Sequence, residues 1–424
     1  MRAARNNIFY SIDWTLVLIY ILLVGFGWVN IYAVSPENTG SIFNFSTIHG
    51  KQLLWIILSI PLIIVILFFN FKFYEKFAGF FYLASVILLI GLFLFGKNVN
   101  GAVSWYDVGI ASIQPSEFSK AFTALALAKL MHDRNYNLGI IENQIKAFFI
   151  IFLPAFLIFL QPDAGSALIY LSFFFVLNRE GLTLAYLIIG ISAIVLFIFT
   201  LIITPFILAS VLFSLITLFI LYAVYKNKRF LKFHWIKIMG FYSIIGLFIF
   251  SSDFIYNNVF EQHHRDRFDI LLGKKSDTQK IGYNSNQSIR TISSGGFSGK
   301  GFLKGDKTQG GFVPEQHTDY IFSVIGEEWG FIGSSMVIIL FLILLYRILF
   351  LAETHNNKFG RIYGYGVASI LFFHILINIG MVIGLLPTIG IPLPFFSYGG
   401  SSLWGFTLLL FIFIKLDAHK NYDW

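Results

Sequence analysis

The chain has 424 residues, of which 57% are hydrophobic, 19% are aromatic and only 12% carry a charge. A soluble globule of this size cannot bury so many apolar side chains, whereas a lipid bilayer accepts them on the outside of every helix. The formal net charge is +8, and the sequence contains no Cys, which excludes disulfides, a thiol nucleophile and Cys-ligated metal sites. The composition therefore predicts a multi-pass membrane protein.

Twelve apolar runs of the sequence approach the roughly 20 residues that a helix needs to span a bilayer. They are 14–34, 51–71, 76–96, 114–132, 146–161, 165–178, 182–203, 205–226, 235–252, 320–350, 361–385 and 397–416. The first run lacks a convincing small-residue cleavage site, so we interpret it as a retained helix and not as a signal peptide. We predict an all-α polytopic membrane protein that forms a single membrane domain over residues 1–424.

The basic residues in the short loops indicate how the chain is oriented. With the N-terminus in the cytoplasm, nearly all of them lie inside, and only Lys51 and Lys97 lie in short outer loops. Both termini are therefore expected in the cytoplasm. Because these residues act as topology signals and do not gather on one face, they give no support to nucleic-acid binding.

One long polar segment, 253–319, is expected to form a large extracytoplasmic loop, too long for an idle connection. Its most polar residues lie at its two ends, 261–267 and 314–319. The Gly-rich run 294–305 between them lacks the spacing of a P-loop or a dinucleotide-binding loop. We interpret this run as a flexible loop with tight turns, although its backbone amides, Lys300 or Lys304 could still hold a lipid pyrophosphate.

Charged residues within the predicted spans are costly in a bilayer and are candidates for function. Glu117 and Lys120 are three residues apart on the fourth span, so they share a helical face and can neutralise each other. The pair either holds helices together or forms a polar wall of a substrate cavity. Glu327 and Glu328, about two turns into the tenth span, are either partners of a basic group or functional acids.

Three further polar residues lie at the outer ends of spans. Asp163 precedes the sixth span and Asp319 the tenth, and each could simply cap the helix that follows it, because Asp is a favoured N-cap residue. His317 is a candidate proton carrier. No spacing of ligands predicts a tight metal site, but a divalent cation such as Mg²⁺ or Mn²⁺ could be held between outer carboxylates and a pyrophosphate.

Five stretches of the sequence, spread over nearly its whole length, resemble the motifs of the SEDS family (shape, elongation, division and sporulation). They are Asn100-Gly101-Ala102 with Trp105, Gly109, Gln114-Pro115-Ser116-Glu117 and Lys120; Gln161-Pro162-Asp163-Ala164-Gly165; Gly282-Tyr283 with Gln287-Ser288; Pro314-Glu315-Gln316-His317-Thr318-Asp319; and the run from Ile391 to Ser402. Residues 299–305 and 390–394 are more similar to the rod-shape branch of the family, RodA, than to the division branch, FtsW.

The resemblance implies a peptidoglycan glycosyltransferase that polymerises lipid II at the outer face of the bacterial cytoplasmic membrane during cell elongation. It implies a class B penicillin-binding protein as partner, undecaprenyl-pyrophosphate-linked glycan as the growing strand, and other membrane proteins of the elongation complex. It also implies Asp319 as the essential residue and general base. The substrate-binding positions that it implies are Trp105, Glu117, Lys120, Asp163, Arg265, Arg267, Gln287, His317 and Ser397.

Two departures from the family pattern stand out. Ser104 occupies a position where the family usually has a basic residue, so a phosphate contact is missing or moved. The family core generally has ten helices, so the predicted twelve imply an extra pair, which we place within 182–252.

Two other classes of function stay open at this point. A lipid II flippase would also need intramembrane charges such as Glu117 and Lys120, but it would not specifically need an acid at the outer rim. A non-catalytic scaffold of a cell-wall complex would need none of these polar residues.

Overall fold

The structure is a computed structural model that describes residues 11–35, 43–99, 101–107, 109, 112–133, 136–227, 230–260, 262–272, 274 and 281–420. Ten helices in this part of the chain are long and apolar enough to cross a membrane. Pro115–His132 and Ala164–Arg179 occupy the other two predicted spans. The predicted all-α polytopic membrane fold is confirmed. Three of the basic residues in the short loops, Arg134, Lys228 and Arg229, lie outside the described residues.

The chain divides into two compact units, Met1–Leu182 with Tyr283–Trp424 and Thr183–Gly282. The first unit begins with α1 (Trp14–Val34), α2 (Ile48–Phe68), α3 (Phe71–Phe95), α4 (Pro115–His132), α5 (Ile141–Phe159) and α6 (Ala164–Arg179, with a 3-10 turn at Ile169–Ser172). The second unit contains α7 (Leu184–Ile202), α8 (Pro205–Lys226), α9 (Phe230–Phe254), a π-helical turn (Ile255–Val259) and α10 (Gln262–Leu271). The chain continues with α11 (Ile281–Gly295), α12 (Asp306–Gln309), α13 (Ile321–Glu328), α14 (Gly330–Glu353), α15 (Lys358–Val382) and α16 (Gly400–Asp417).

Local sequence determines where several of these helices begin. An Asp, Asn or Thr side chain accepts a backbone N–H of the first turn at five N-caps, namely Asp13, Thr47, Asn70, Asp163 and Asn357. Pro residues stand in the first turns of α4 and α8, where their missing N–H costs nothing. The boundaries therefore follow from capping chemistry as well as from hydrophobicity.

Three helices, α4, α15 and α16, form the centre of the first unit. In the most apolar 18-residue stretch of each helix, 67% of the residues of α15 and 78% of those of α16 are buried. The corresponding share is 11% in α7, in α8 and in His234–Asn258, which contains most of α9. The central helices carry buried polar side chains, among them Lys120, His374 and Thr407. Because these residues face other helices and not lipid, their polar atoms can be paired within the protein.

Three short strands interrupt the helical fold between α3 and α4, and the sequence analysis did not predict them. β1 (Lys97–Val99), β2 (Ala102–Asp107) and β3 (Ser112–Ile113) form an antiparallel sheet in the order β1-β2-β3. The Val103 N–H donates to the Gln161 carbonyl at 3.2 Å, which joins the sheet to the α5–α6 connection. Asn100, the first residue of the motif in this region, lies outside the described residues.

The predicted tenth span, 320–350, is wrong as one continuous helix. It is broken at Trp329, between α13 and α14, and the next residue, Gly330, has φ +64°. A methyl group on Gly330 would lie 2.2 Å from the Gly299 nitrogen, so the close approach of the two segments requires glycine here. Glu327 and Glu328 consequently lie at the end of a short helix and not inside a spanning one.

The Gly-rich run does make tight turns, but it is not the flexible loop that we expected. Lys300 N–H donates to the Glu327 carbonyl at 3.0 Å, and Gly301 N–H donates to the Glu328 carbonyl at 2.9 Å. The buried Glu327 carboxylate also accepts from the Lys300 ammonium at 2.8 Å and from the Thr308 backbone N–H at 2.7 Å. Glu327 is therefore the partner of a basic group, and the run is packed onto the end of α13.

Candidate active site

The backbone that carries Asp319 is held by three hydrogen bonds to three successive carbonyl oxygens. Tyr398 N–H donates to the His317 carbonyl at 2.9 Å, and Ser397 Oγ donates to the Thr318 carbonyl at 2.6 Å. Asn378 Nδ2 donates to the Asp319 carbonyl at 2.8 Å. All three donors belong to residues 378–398, so this part of the chain fixes the position of Asp319 just before α13 begins.

The carboxylate of Asp319 faces the segment that connects α15 to α16. A methyl group on Gly390, whose φ is +78°, would lie 3.3 Å from Asp319 Oδ2. The N-cap residue of α13 is Tyr320, so Asp319 lies one residue before the position that the capping interpretation assigns to it. Asp319 is half-buried.

Asn378 and Ser397 hold the segment between α15 and α16 against the residues that precede α13. Asn378 Nδ2 also donates to the Ile391 carbonyl at 2.6 Å, so one amide group holds both chains. Ser397 Oγ accepts from the Leu393 N–H at 2.8 Å while it donates to Thr318. The hydroxyl predicted to bind substrate is thus engaged with the backbone on both sides of the site.

Glu117 and Lys120 form the expected intramembrane pair, with 2.8 Å between Lys120 Nζ and Glu117 Oε1. Both side chains are only 2% exposed. Lys120 Nζ also lies 2.9 Å from His374 Nε2, and its cation lies 5.4 Å from the centre of the Phe406 ring. Glu117 Oε2 has no hydrogen-bond partner among the described residues, so the carboxylate keeps an accepting oxygen within the bundle.

Asp163 does cap the next helix, as the local sequence predicted. Its Oδ1 accepts from the Ser166 N–H at 3.0 Å, and its Oδ2 accepts from Gln114 Nε2 at 3.0 Å. A methyl group on Gly165 would lie 3.1 Å from Ile389 and 3.2 Å from Ile391. Asp163 and Asp319 therefore lie beside the same connecting segment, at the same end of the first unit.

His317 packs its ring against Tyr398, with 5.5 Å between the ring centres. Burial lowers the pKa of the His317 imidazole, and the nearby Glu315 carboxylate opposes this shift only in part. The imidazole is consequently neutral near pH 7 and can accept a proton. Its role as a proton carrier stays a prediction.

Trp105 and Gln287 occupy more peripheral positions. Trp105 is half-buried on β2, opposite Lys97 of β1. Ser104 beside it is 3% exposed, so a charged side chain in its place would be taken out of water. Gln287 is half-buried on α11, and the neighbouring Ser288 hydroxyl donates to the Val382 carbonyl at 2.8 Å.

The two predicted arginines belong to the second unit. Arg265 lies on α10, where its Nη1 donates to the Asn257 carbonyl at 2.9 Å. Arg267 lies on the same helix, and its side chain is outside the described residues. Their role at a substrate pyrophosphate stays a prediction.

No group of three His, Asp or Glu side chains gathers as metal ligands within the described ranges. The described carboxylates around Asp319 therefore do not by themselves provide a tight cation site. A cation here would take most of its ligands from a bound pyrophosphate.

Sequence reasoning missed His374 and Asn378, although both are central to the arrangement. They lie four residues apart on α15, which places them on one helical face. A His and an Asn within an apolar span are the signal that could have revealed them, because unpaired polar side chains are costly in a bilayer.

The sequence pattern of a family described as cell cycle proteins, FtsW/RodA/SpoVE, matches residues 13–235 and 188–422. Peptidoglycan glycosyltransferase MrdB of Escherichia coli strain K12 is 31% identical over 411 residues, which cover 97% of this chain and 94% of that protein. Peptidoglycan glycosyltransferase RodA of Treponema pallidum is 30% identical over 431 residues, with 96% and 98% covered.

Two solved structures share the fold. A chain from a peptidoglycan synthase complex, described as coordinating polymerization and crosslinking, is 26% identical with a TM-score of 0.70, and 97% of this chain and 99% of that chain are covered. The rod shape determining protein RodA of Thermus thermophilus is 23% identical with a TM-score of 0.64, with 97% and 98% covered. The chain therefore belongs to the FtsW/RodA/SpoVE family of cell cycle proteins, which is the SEDS family that its motifs indicate.

Proposed function

We propose that this protein is a peptidoglycan glycosyltransferase that polymerises lipid II at the outer face of the bacterial cytoplasmic membrane during cell elongation. Relatives that match nearly its whole length carry the name peptidoglycan glycosyltransferase. The observation that carries the proposal is the fixation of Asp319 by three successive carbonyl contacts at the rim of the bundle. A residue that only connected two segments would not need its backbone held so completely.

In the proposed reaction, Asp319 is the general base. An acceptor sugar hydroxyl attacks the anomeric carbon of the donor, and its proton passes to the Asp319 carboxylate. The new glycosidic C–O bond forms as the bond to pyrophosphate breaks, and undecaprenyl pyrophosphate leaves with the bonding electrons. A single displacement of this kind inverts the configuration at the anomeric carbon, as the family resemblance implies.

The leaving pyrophosphate needs positive charge, and we assign this role to Lys120. The family resemblance implies the same role for Arg265 and Arg267 of the second unit. Lys120 is held in place within the bundle by Glu117 and His374. Asp163 and His317 lie beside the segment that faces Asp319, so we place the substrate sugars there. Ser397 acts through the backbone of Thr318, and Trp105 and Gln287 contact more distant parts of the substrate.

A divalent cation, Mg²⁺ or Mn²⁺, would supply further positive charge at the pyrophosphate. Asp163 and Asp319 are the carboxylates that would contact it, since both lie beside residues 389–391. We expect its removal with a chelator to slow polymerisation without unfolding the protein, because the helices pack through contacts that need no metal.

We propose that a class B penicillin-binding protein acts together with this chain, along with other membrane proteins of the elongation complex. The related structure that belongs to a synthase complex supports such a partner. The partner would crosslink the strands that this protein makes. Glycan strands attached to undecaprenyl pyrophosphate would be the product that both proteins share.

The proposed orientation places both termini in the cytoplasm. Since the protein has no native Cys, single cysteines can be labelled in intact cells with a membrane-impermeant thiol reagent. We expect Ser46→Cys, between α1 and α2, to be labelled, and Asn227→Cys and Asn356→Cys to be protected. The opposite pattern would reverse the orientation and place Asp319 in the cytoplasm.

The direct test of the function is the conversion of lipid II to glycan strands by purified protein, in detergent, with its penicillin-binding partner. The proposal predicts strands that lengthen with time. A protein that instead moves lipid II across vesicle membranes without polymerising it would be a flippase. A protein that does neither, yet still assembles with its partner, would be a scaffold.

A further inference from the structure

His374 is a buried histidine that the proposed mechanism does not use directly. Its side chain lies in the middle of the first unit, 1% exposed, and it has polar contacts on both ring nitrogens. Nε2 lies 2.9 Å from Lys120 Nζ, and Nδ1 lies 3.4 Å from the Pro392 carbonyl. The ring stands perpendicular to that of Phe406, with 4.7 Å between the centres.

These contacts define which nitrogen carries the proton. The Lys120 ammonium can only donate hydrogen bonds, so Nε2 must accept with its lone pair. The proton of the neutral ring then lies on Nδ1, from which it points at the Pro392 carbonyl. A neutral histidine of this tautomer satisfies both neighbours at once.

The two ring nitrogens of His374 contact two different parts of the candidate site. On one side, Lys120 is paired with Glu117 on α4. On the other side, Pro392 is adjacent to Ile391, whose carbonyl accepts from Asn378, the residue that also holds Asp319. His374 and Asn378 are four residues apart on α15, so one face of one helix contacts both parts.

We infer that His374 is a positioning residue that fixes the Lys120 ammonium relative to the segment 390–397 and thereby relative to Asp319. This inference rests on the proposed function. An ammonium on a long side chain has three rotatable donors, and Glu117 accepts only one of them in this structure. The second acceptor restricts where the positive charge lies as the pyrophosphate departs, and a displacement of about 1 Å can cost about a hundredfold in rate.

The test compares variants of His374 in the purified protein with its penicillin-binding partner, using lipid II as substrate. His374→Leu removes the acceptor but keeps an apolar side chain, and it should lower kcat at least about tenfold with KM changed less than about threefold. His374→Gln should remain within about threefold of the wild type, because its carboxamide can accept from Lys120 and donate to Pro392. If the Leu variant does not fold, His374→Asn takes its place, since its shorter side chain cannot reach both partners.

A double-mutant comparison separates positioning from a merely structural role. In a Lys120→Met background, His374→Leu should lower kcat by less than about twofold further, because the group that it positions is gone. A structural role would instead give the same proportional loss in both backgrounds. That result would overturn the inference, as would a His374→Leu variant with wild-type kcat or a Gln variant as slow as the Leu variant.

A matched control is available at the other end of the same unit. His355 is 4% exposed, and its ring contacts the Leu416 carbonyl and the Asn357 N–H. His355→Leu should lower the thermal midpoint and leave kcat within about twofold. An inactive wild type would refute the proposed function, whereas an active wild type with indifferent His374 variants would refute only this inference.

Discussion

The ion pairs at one end of the first unit and the hydrogen bonds around Asp319 at the other end join helices in different ways. At the end where α1 begins, which we name the ion-pair end, charged side chains connect neighbouring helices: Arg347 with Asp13, Arg179 with Glu353, and Arg361 with Glu180. At the end that contains Asp319, which we name the site end, buried side chains donate to backbone carbonyls. The first kind of contact tolerates movement, because long side chains can follow their partners, whereas the second fixes the backbone itself.

Breaking a buried hydrogen bond also costs more free energy than breaking an exposed ion pair. Arg179 and Glu353 are 47% and 50% exposed, and exposed pairs of this type contribute roughly 0–1 kcal/mol each. Breaking a buried hydrogen bond leaves a polar group without a partner and costs roughly 1–3 kcal/mol. The comparison therefore predicts that changes at the ion-pair end reduce stability slightly, and that changes at the site end reduce activity.

The largest effect is expected at a glycine where two backbone segments of the site end approach each other closely. Gly330→Ala would force a left-handed conformation on a residue with a Cβ, at roughly 1–2 kcal/mol, and would also clash with Gly299. We expect this variant to yield little folded protein on size-exclusion chromatography in detergent. Gly25→Ala on α1 is the control, because no atom lies within 4 Å of the added methyl group, and it should fold normally. Equal yields of the two variants would show that the contact between residues 299 and 330 is dispensable.

This break in the predicted tenth span shows what the sequence could and could not reveal. Hydrophobic length alone located the ten helices within the described residues that are long and apolar enough to cross a membrane, because a bilayer imposes the same requirement on each. It did not reveal that Glu327 would turn toward the Gly-rich run, since that depends on a contact with Lys300 about 27 residues away.

The candidate site was predictable only where its contacts join residues that are close in the sequence. Glu117 and Lys120 are neighbours on one helix, so their spacing predicted their contact. The roles of Asn378 and His374 depend on the path of residues 389–397, which has no periodic pattern to interpret. The strands between α3 and α4 were missed because they are only two to six residues long.

The next largest effect is expected from a change at Lys120. A second buried lysine, Lys415 at the ion-pair end, serves as its control. Lys120→Ala leaves Glu117 buried without its partner, and we expect polymerisation to fall at least about tenfold, with little change in expression. Lys415 is also buried, and it donates to the Leu67 carbonyl at 2.6 Å. Lys415→Ala should retain activity within about threefold. Full activity after Glu117 and Lys120 are exchanged would reduce their pair to a structural role.

A smaller effect is expected at the ion-pair end itself. Arg347→Ala removes the charged partner of Asp13, whose side chain is only 9% exposed, so the loss should exceed the roughly 0–1 kcal/mol of a fully exposed pair. The thermal midpoint should fall by a few degrees, while the rate of polymerisation stays within about twofold of the wild type. A rate of polymerisation that falls by more than about twofold would mean that this end also takes part in function.

The smallest effect concerns the pH dependence of stability. Burial lowers the pKa of His355 to about 4, from an ordinary value of 6.5. The folded state therefore binds fewer protons than the unfolded state, and the stability that His355 contributes above pH 6.5 is lost as the pH falls toward 4. His355→Gln should show a shallower decline of thermal midpoint over this range than the wild type. Parallel declines would mean that other groups cause the pH dependence.

The most direct test of the account applies one substitution at both ends of the unit. Asp319→Asn and Asp13→Asn are nearly isosteric changes, and Asp13 both caps α1 through Leu16 N–H and pairs with Arg347. The measurement is the rate of glycan synthesis from lipid II, with the thermal midpoint of each variant as reference. We expect Asp319→Asn to keep its midpoint but to polymerise at least about a hundredfold more slowly, and Asp13→Asn to lose stability but to stay within about twofold in rate. A substantially active Asp319→Asn variant would contradict the role of Asp319 as general base and leave Asp163 as the next candidate.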